Sequence, residues 1–173
     1  MAKAEAAAAR VRQEAGVLDE SLIDVESIAR GLGAEVIRER LGGDVSGLLV
    51  RQEGRVIIGV NESHAPARQR FTIAHELGHF VLHEGRPLVV DRARINLRDS
   101  RSSLATDLEE IEANSFAAEL LMPRTQVLRT FRGLADAGAI SHERVIRDLA
   151  HGFGVSDQAM EYRLVHLGLL RST

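Results

Sequence analysis

The chain has 173 residues, 45% of them hydrophobic and 27% charged, with a net charge of −3. That length suits one domain, or one domain with a small appendage, and the charge gives no global pull toward nucleic acid or an anionic membrane. The absence of cysteine excludes disulfides, thiol nucleophiles and cysteine-based zinc sites together, so any metal site must use histidine and carboxylates.

Residues 2–15 are rich in Ala, Glu and Arg and favour a helix that Gly16 ends. Glu5 and Arg10 interrupt the alanine run before a signal-peptide core could form, and no stretch approaches the roughly 20 apolar residues that span a bilayer. A cytoplasmic location is therefore expected, with no membrane partner. Asp24 is placed as the N-cap of a short helix, Val25–Arg30, stopped at Gly31-Leu32-Gly33. Strands are predicted at Ala34–Leu41, Val45–Val50 and Arg55–Val60, with turns at Gly42-Gly43-Asp44 and Gln52-Glu53-Gly54. Two strands joined by so short a loop form a hairpin, and a small three-stranded antiparallel sheet is the expectation.

Pro66 sits at a helix start, and Ala67–His83 has apolar residues at three- and four-residue spacing. Gly85 and Pro87 close that helix. Residues 88–105, with several arginines and little periodicity, read as a mobile loop. Further helices are predicted at Asp107–Met122, Thr125–Arg132, Val145–His151 (capped by Ser141) and Val155–Leu167. The fold class is thus α+β and mostly helical.

The central helix carries His75-Glu76-Leu77-Gly78-His79. Two histidines four residues apart lie about 40° apart around a helix and roughly 6 Å apart along it, so both can reach one zinc ion. Glu76 lies roughly 100° further round the axis, beside the metal, where a carboxylate acts as general base toward a zinc-activated water. Gly78 leaves room for a close neighbour. A catalytic zinc needs a third protein ligand and an open position. His83 continues the spacing but stands about 12 Å from His75 along the axis, too far to share an ion with it; it is expected to pack or hydrogen-bond near the site. The following helix offers Glu109, Glu110, Glu112 and Glu119. Asn114 lies one turn beyond Glu110 and is a candidate to orient it. Periodicity alone does not choose between Glu110 and Glu112.

The segments RQRFTIAHELGHFVLH (68–83) and EIEANSFAAELLMP (110–123) together resemble the ImmA/IrrE family of repressor-cleaving metallopeptidases. The lead-in at 44–61 and VESIARGLGAEV at 25–36 resemble it too. The resemblance implies a thermolysin-like zinc peptidase core, with zinc held by His75, His79 and Glu110 and with Glu76 catalytic; Glu112 is the fallback ligand. It also implies that the partner is a helix-turn-helix transcriptional repressor, whose cleavage induces a stress or mobile-element response.

The C-terminal stretch VIRDLAHGFGVSDQAMEYRLVHLGLL resembles a helix-turn-helix, with Ala150, Gly154 and Met160 at small, turn and core positions. Between residues 155 and 167 the basic complement is Arg163, against Asp157 and Glu161, which disfavours direct DNA binding. The expected division is a metallopeptidase domain at 1–125 and a helical segment at 126–173 packed on it. The competing reading is a non-catalytic regulator that sequesters a repressor or binds DNA through its C-terminal helices.

Overall fold

A computed structural model describes residues 1–42, 44–83, 87–92, 104–136 and 141–171, with backbone alone at 91–92, 104–107 and 135–136. Described elements run α1 (Ala2–Glu14), α2 (Val25–Gly31), β1 (Ala34–Glu39), β2 (Val45–Gln52), β3 (Arg55–Asn61), α3 (Pro66–Leu82), β4 (Leu88–Arg92), α4 (Leu104–Leu121), α5 (Arg124–Asp136), α6 (His142–Phe153) and α7 (Asp157–His166). No described helix is long and apolar enough to cross a membrane.

Local chemistry accounts for most element ends. The Asp24 side chain accepts from the Glu26 and Ser27 amides at 3.1 and 3.0 Å, capping α2. Ser141 and Ser156 cap α6 and α7 in the same way. Pro66 occupies the first turn of α3, where its missing N–H costs nothing. Glu53 and Gly54 both have positive φ, 51° and 76°, as a two-residue hairpin turn between β2 and β3 requires.

The sheet differs from the antiparallel three-stranded expectation. It has four strands in the order β1-β3-β2-β4. β2 is antiparallel to both β3 and β4, but β1 runs parallel to β3. β4 falls at the start of the segment expected to be a loop, where Leu88-Val89-Val90 is short, apolar and β-branched enough to pair with β2. With β4 on that edge, β1 takes the other. Its register sets Val36 beside Ile58, and Ile58 in turn faces Leu49 on β2. Ile58 and Leu49 are fully buried, so one face of the sheet is committed to the core. Residues 93–103 of the expected loop lie outside the described residues, as do Gly43 and Gly85, while 104–105 already belong to α4, which starts at Leu104 and not at the expected Asp107.

The buried face of the sheet packs on α3, and α3 packs on α4. Ile73, Ala74, Leu77, Phe116, Ala117, Leu120 and Leu121 are fully buried in this layer. Two glycines set how close the layers come. A Cβ on Gly47 of β2 would stand 2.3 Å from the Thr72 methyl and 3.1 Å from Glu76 Oε1. A Cβ on Gly78 of α3 would stand 2.9 Å from the Ala113 Cα on α4.

The C-terminal helices are tied to this layer by polar anchors. Buried Arg163 of α7 donates to the Met122 carbonyl at 2.9 Å and pairs with Glu119 of α4. Arg12 of α1 donates to the Leu120 carbonyl at 2.9 Å and to carbonyls of the 17–20 loop. These arginines occupy the carbonyls left open where α4 ends before Pro123.

Candidate metal centre

α3 presents His75, Glu76 and His79 from consecutive turns in the molecular interior; they are 4, 0 and 1% exposed. α4 brings Glu110 against the two imidazoles. His75 Nε2 and His79 Nε2 are 3.1 Å apart. Glu110 Oε2 is 3.4 Å from His75 Nε2, and Glu110 Oε1 is 3.3 Å from His79 Nε2. Donors in a tetrahedral site with metal–ligand bonds of about 2.0–2.1 Å are separated by about 3.3 Å. The three side chains therefore could hold one metal ion, and their nitrogen and oxygen donors suit zinc. Burial alone would raise the Glu110 carboxyl, but the adjoining His75 and His79 imidazoles outweigh it and hold the group well below the usual carboxylate range. Glu110 is thus an anion beside two imidazoles, as a cation site requires.

Glu112 stands elsewhere. Two residues further along α4, it points about 200° round the helix from Glu110. There it accepts from His83 Nε2 at 3.0 Å. His83 in turn meets His79, Nδ1 to Nδ1, at 3.1 Å. His83 thus hydrogen-bonds beside the cluster. The expected Asn114–Glu110 contact is replaced by another: Asn114 Oδ1 lies 3.1 Å from His75 Nδ1. Four residues apart on one helix, Asn114 and Glu110 both reach His75, one at each ring nitrogen.

Glu76 sits on the sheet side of α3, its carboxylate against Gly47 of β2. Phe71, one turn before His75, stacks on its ring with centroids 6.5 Å apart. Arg51 of β2 donates to the carbonyls of His79 and His83, each at 2.8 Å, and closes the C-terminal end of α3. His83 was expected near the site from its four-residue spacing, but Arg51 and Glu112 have no local sequence signal as partners of this end of the cluster, because both reach it from separate elements.

The sequence pattern of the peptidase M78 family, described as the IrrE N-terminal-like domain, matches residues 29–165. The chain belongs to this family. The match runs from α2 into α7 and includes both helices of the cluster. An uncharacterized immunity region protein 2 of Bacillus phage phi105 is 31% identical over 96 residues, covering 56% of each chain. A solved Mycobacterium tuberculosis transcriptional regulator superposes on 95% of this chain and 47% of its own, with a TM-score of 0.60 and 20% identity. At that identity the likeness is one of fold. The M78 chain described here spans about half the length of these two relatives.

Proposed function

We propose that the protein is a zinc-dependent endopeptidase that cleaves a helix-turn-helix transcriptional repressor and so induces a stress or mobile-element response. The observation that carries the reading is the cluster of His75 Nε2, His79 Nε2 and the Glu110 carboxylate at 3.1–3.4 Å from one another. His75, His79 and Glu110 would hold the ion. A zinc ion held there would supply Lewis-acid chemistry, lowering the pKa of a water toward about 7 and polarising a peptide carbonyl. Glu76 accepts a proton from the attacking water and delivers it to the leaving amine. Its burial against β2 limits its conformers, which keeps the carboxylate in place for both transfers. The repressor is favoured as substrate by the family and by a phage immunity-region relative.

Residues 126–173 are read as a helical segment that docks a protein partner, packed on a peptidase domain at 1–125. The DNA-binding alternative loses support at α7. Its one arginine, Arg163, is 4% exposed and engaged with Glu119 and the Met122 carbonyl, so that helix offers no free arginine or lysine to a phosphate backbone.

The test is co-incubation with candidate helix-turn-helix repressors from the same genome, with zinc and with chelator, read by mass spectrometry. Discrete products that require zinc and vanish in Glu76→Gln are expected. A stable complex with no peptide products would overturn the protease reading in favour of sequestration.

A further inference from the structure

His83 and Glu112 lie outside the candidate ligand set, yet they form a connected chain with it. Glu112 Oε2 is 3.0 Å from His83 Nε2, and His83 Nδ1 is 3.1 Å from His79 Nδ1. An ionised carboxylate only accepts hydrogen bonds. His83 Nε2 must therefore carry the proton. In neutral His83 the Nδ1 lone pair is then an acceptor, and the His79 Nδ1–H donates to it. A neutral His79 protonated on Nδ1 presents a bare Nε2, the atom that faces His75 Nε2 and Glu110. His83 itself is held in place. Its amide donates to the His79 carbonyl at 3.2 Å, its carbonyl accepts from Arg51 at 2.8 Å, and its side chain is 9% exposed.

We infer that His83 and Glu112 are positioning residues: a carboxylate–imidazole relay that fixes the tautomer and ring orientation of His79 and makes its Nε2 a stronger metal donor. The relay rests on the metal-site reading of His75, His79 and Glu110. It also assigns His75 and His79 different supports, an amide oxygen for one and a histidine–carboxylate pair for the other. Partners of this kind are worth about 10–100-fold in metal affinity.

The experiment measures zinc affinity by competition with a chromophoric chelator, with the melting midpoint of each metal-free variant recorded alongside. His83→Ala should bind zinc about 10–100-fold more weakly than wild type. His83→Gln, whose amide oxygen can still accept from His79, should recover most of that loss. Glu112→Gln should weaken binding less than His83→Ala, and the double variant His83→Ala/Glu112→Gln should be no weaker than His83→Ala alone, because the two act in series. Should His83→Ala fail to fold, His83→Gln and Glu112→Gln carry the comparison. Wild-type affinity in His83→Ala, or additive losses in the double variant, would overturn the relay while leaving the metal site standing. Losses that follow metal-free stability and are not relieved by Gln would overturn it as well. No zinc binding by wild type would overturn the site and the relay together.

Discussion

The Cα of Ala113 lies 2.9 Å from the point where a Cβ on Gly78 would be. α3 and α4 therefore cross with backbone nearly against backbone, and that crossing brings Glu110 within reach of His75 and His79. Gly78→Ala forces the helices apart. Overpacking of this kind costs about 1–3 kcal/mol, to be read as a lower urea midpoint. Zinc affinity should fall in the same variant, because Glu110 moves with α4. Unchanged stability and affinity would count against the crossing.

Gly47→Ala probes the other side of α3. The added methyl runs into the Thr72 methyl and meets the Glu76 carboxylate at 3.1 Å. Peptide cleavage should drop by at least about tenfold, since misplacing a proton-transfer group is costly, while zinc affinity stays close to wild type. Parallel turnover and zinc titrations check this. Equal losses in both would show that Gly47 supports the metal cluster and not Glu76.

Arg163 links α7 to the end of α4. Arg163→Ala leaves Glu119 and the Met122 carbonyl without their buried donor. Removing one partner of a buried pair costs about 3–5 kcal/mol. Urea denaturation should show that loss, with no accompanying change in nucleic-acid binding.

Glu26 on α2 accepts from Arg38 on β1, and this hydrogen bond lowers its carboxyl below the model-peptide range. A depressed folded-state pKa stabilises above the unfolded value, about 4.3, and the contribution disappears as pH falls through the folded one. Wild type should exceed Glu26→Gln in stability near neutrality by about 0.2–1 kcal/mol, the range for a solvent-screened pair. The gap should close as pH falls below about 4. Thermal melts of both proteins across acid pH measure it, and a gap that widens toward low pH would reverse the sign of the argument.

Short-range signals were the legible ones. Asp24, Ser141 and Pro66 mark helix starts, Glu53-Gly54 marks the hairpin, and HELGH at 75–79 carries its own geometry, since four residues on a helix bring two imidazoles together whatever surrounds them. The strand order was not legible. β1 has the same alternation whether it pairs with β2 or β3, and β4 was too short to stand out from its arginine-rich surroundings.

By itself, then, the sequence determined the α3 motif and several helix starts, because each depends on spacing within one segment, and the family, because its two signature segments are both read along the chain. Tertiary structure decided what faces the two histidines. Glu110 and Glu112 are chemically alike and two residues apart, and only the close α3–α4 crossing at Gly78 and Ala113 turns one toward His75 and His79 and the other toward His83. The same crossing directs Asn114 to His75 instead of Glu110. Periodicity gives a residue its angle about its own helix axis; the packing of a second helix sets what stands at that angle.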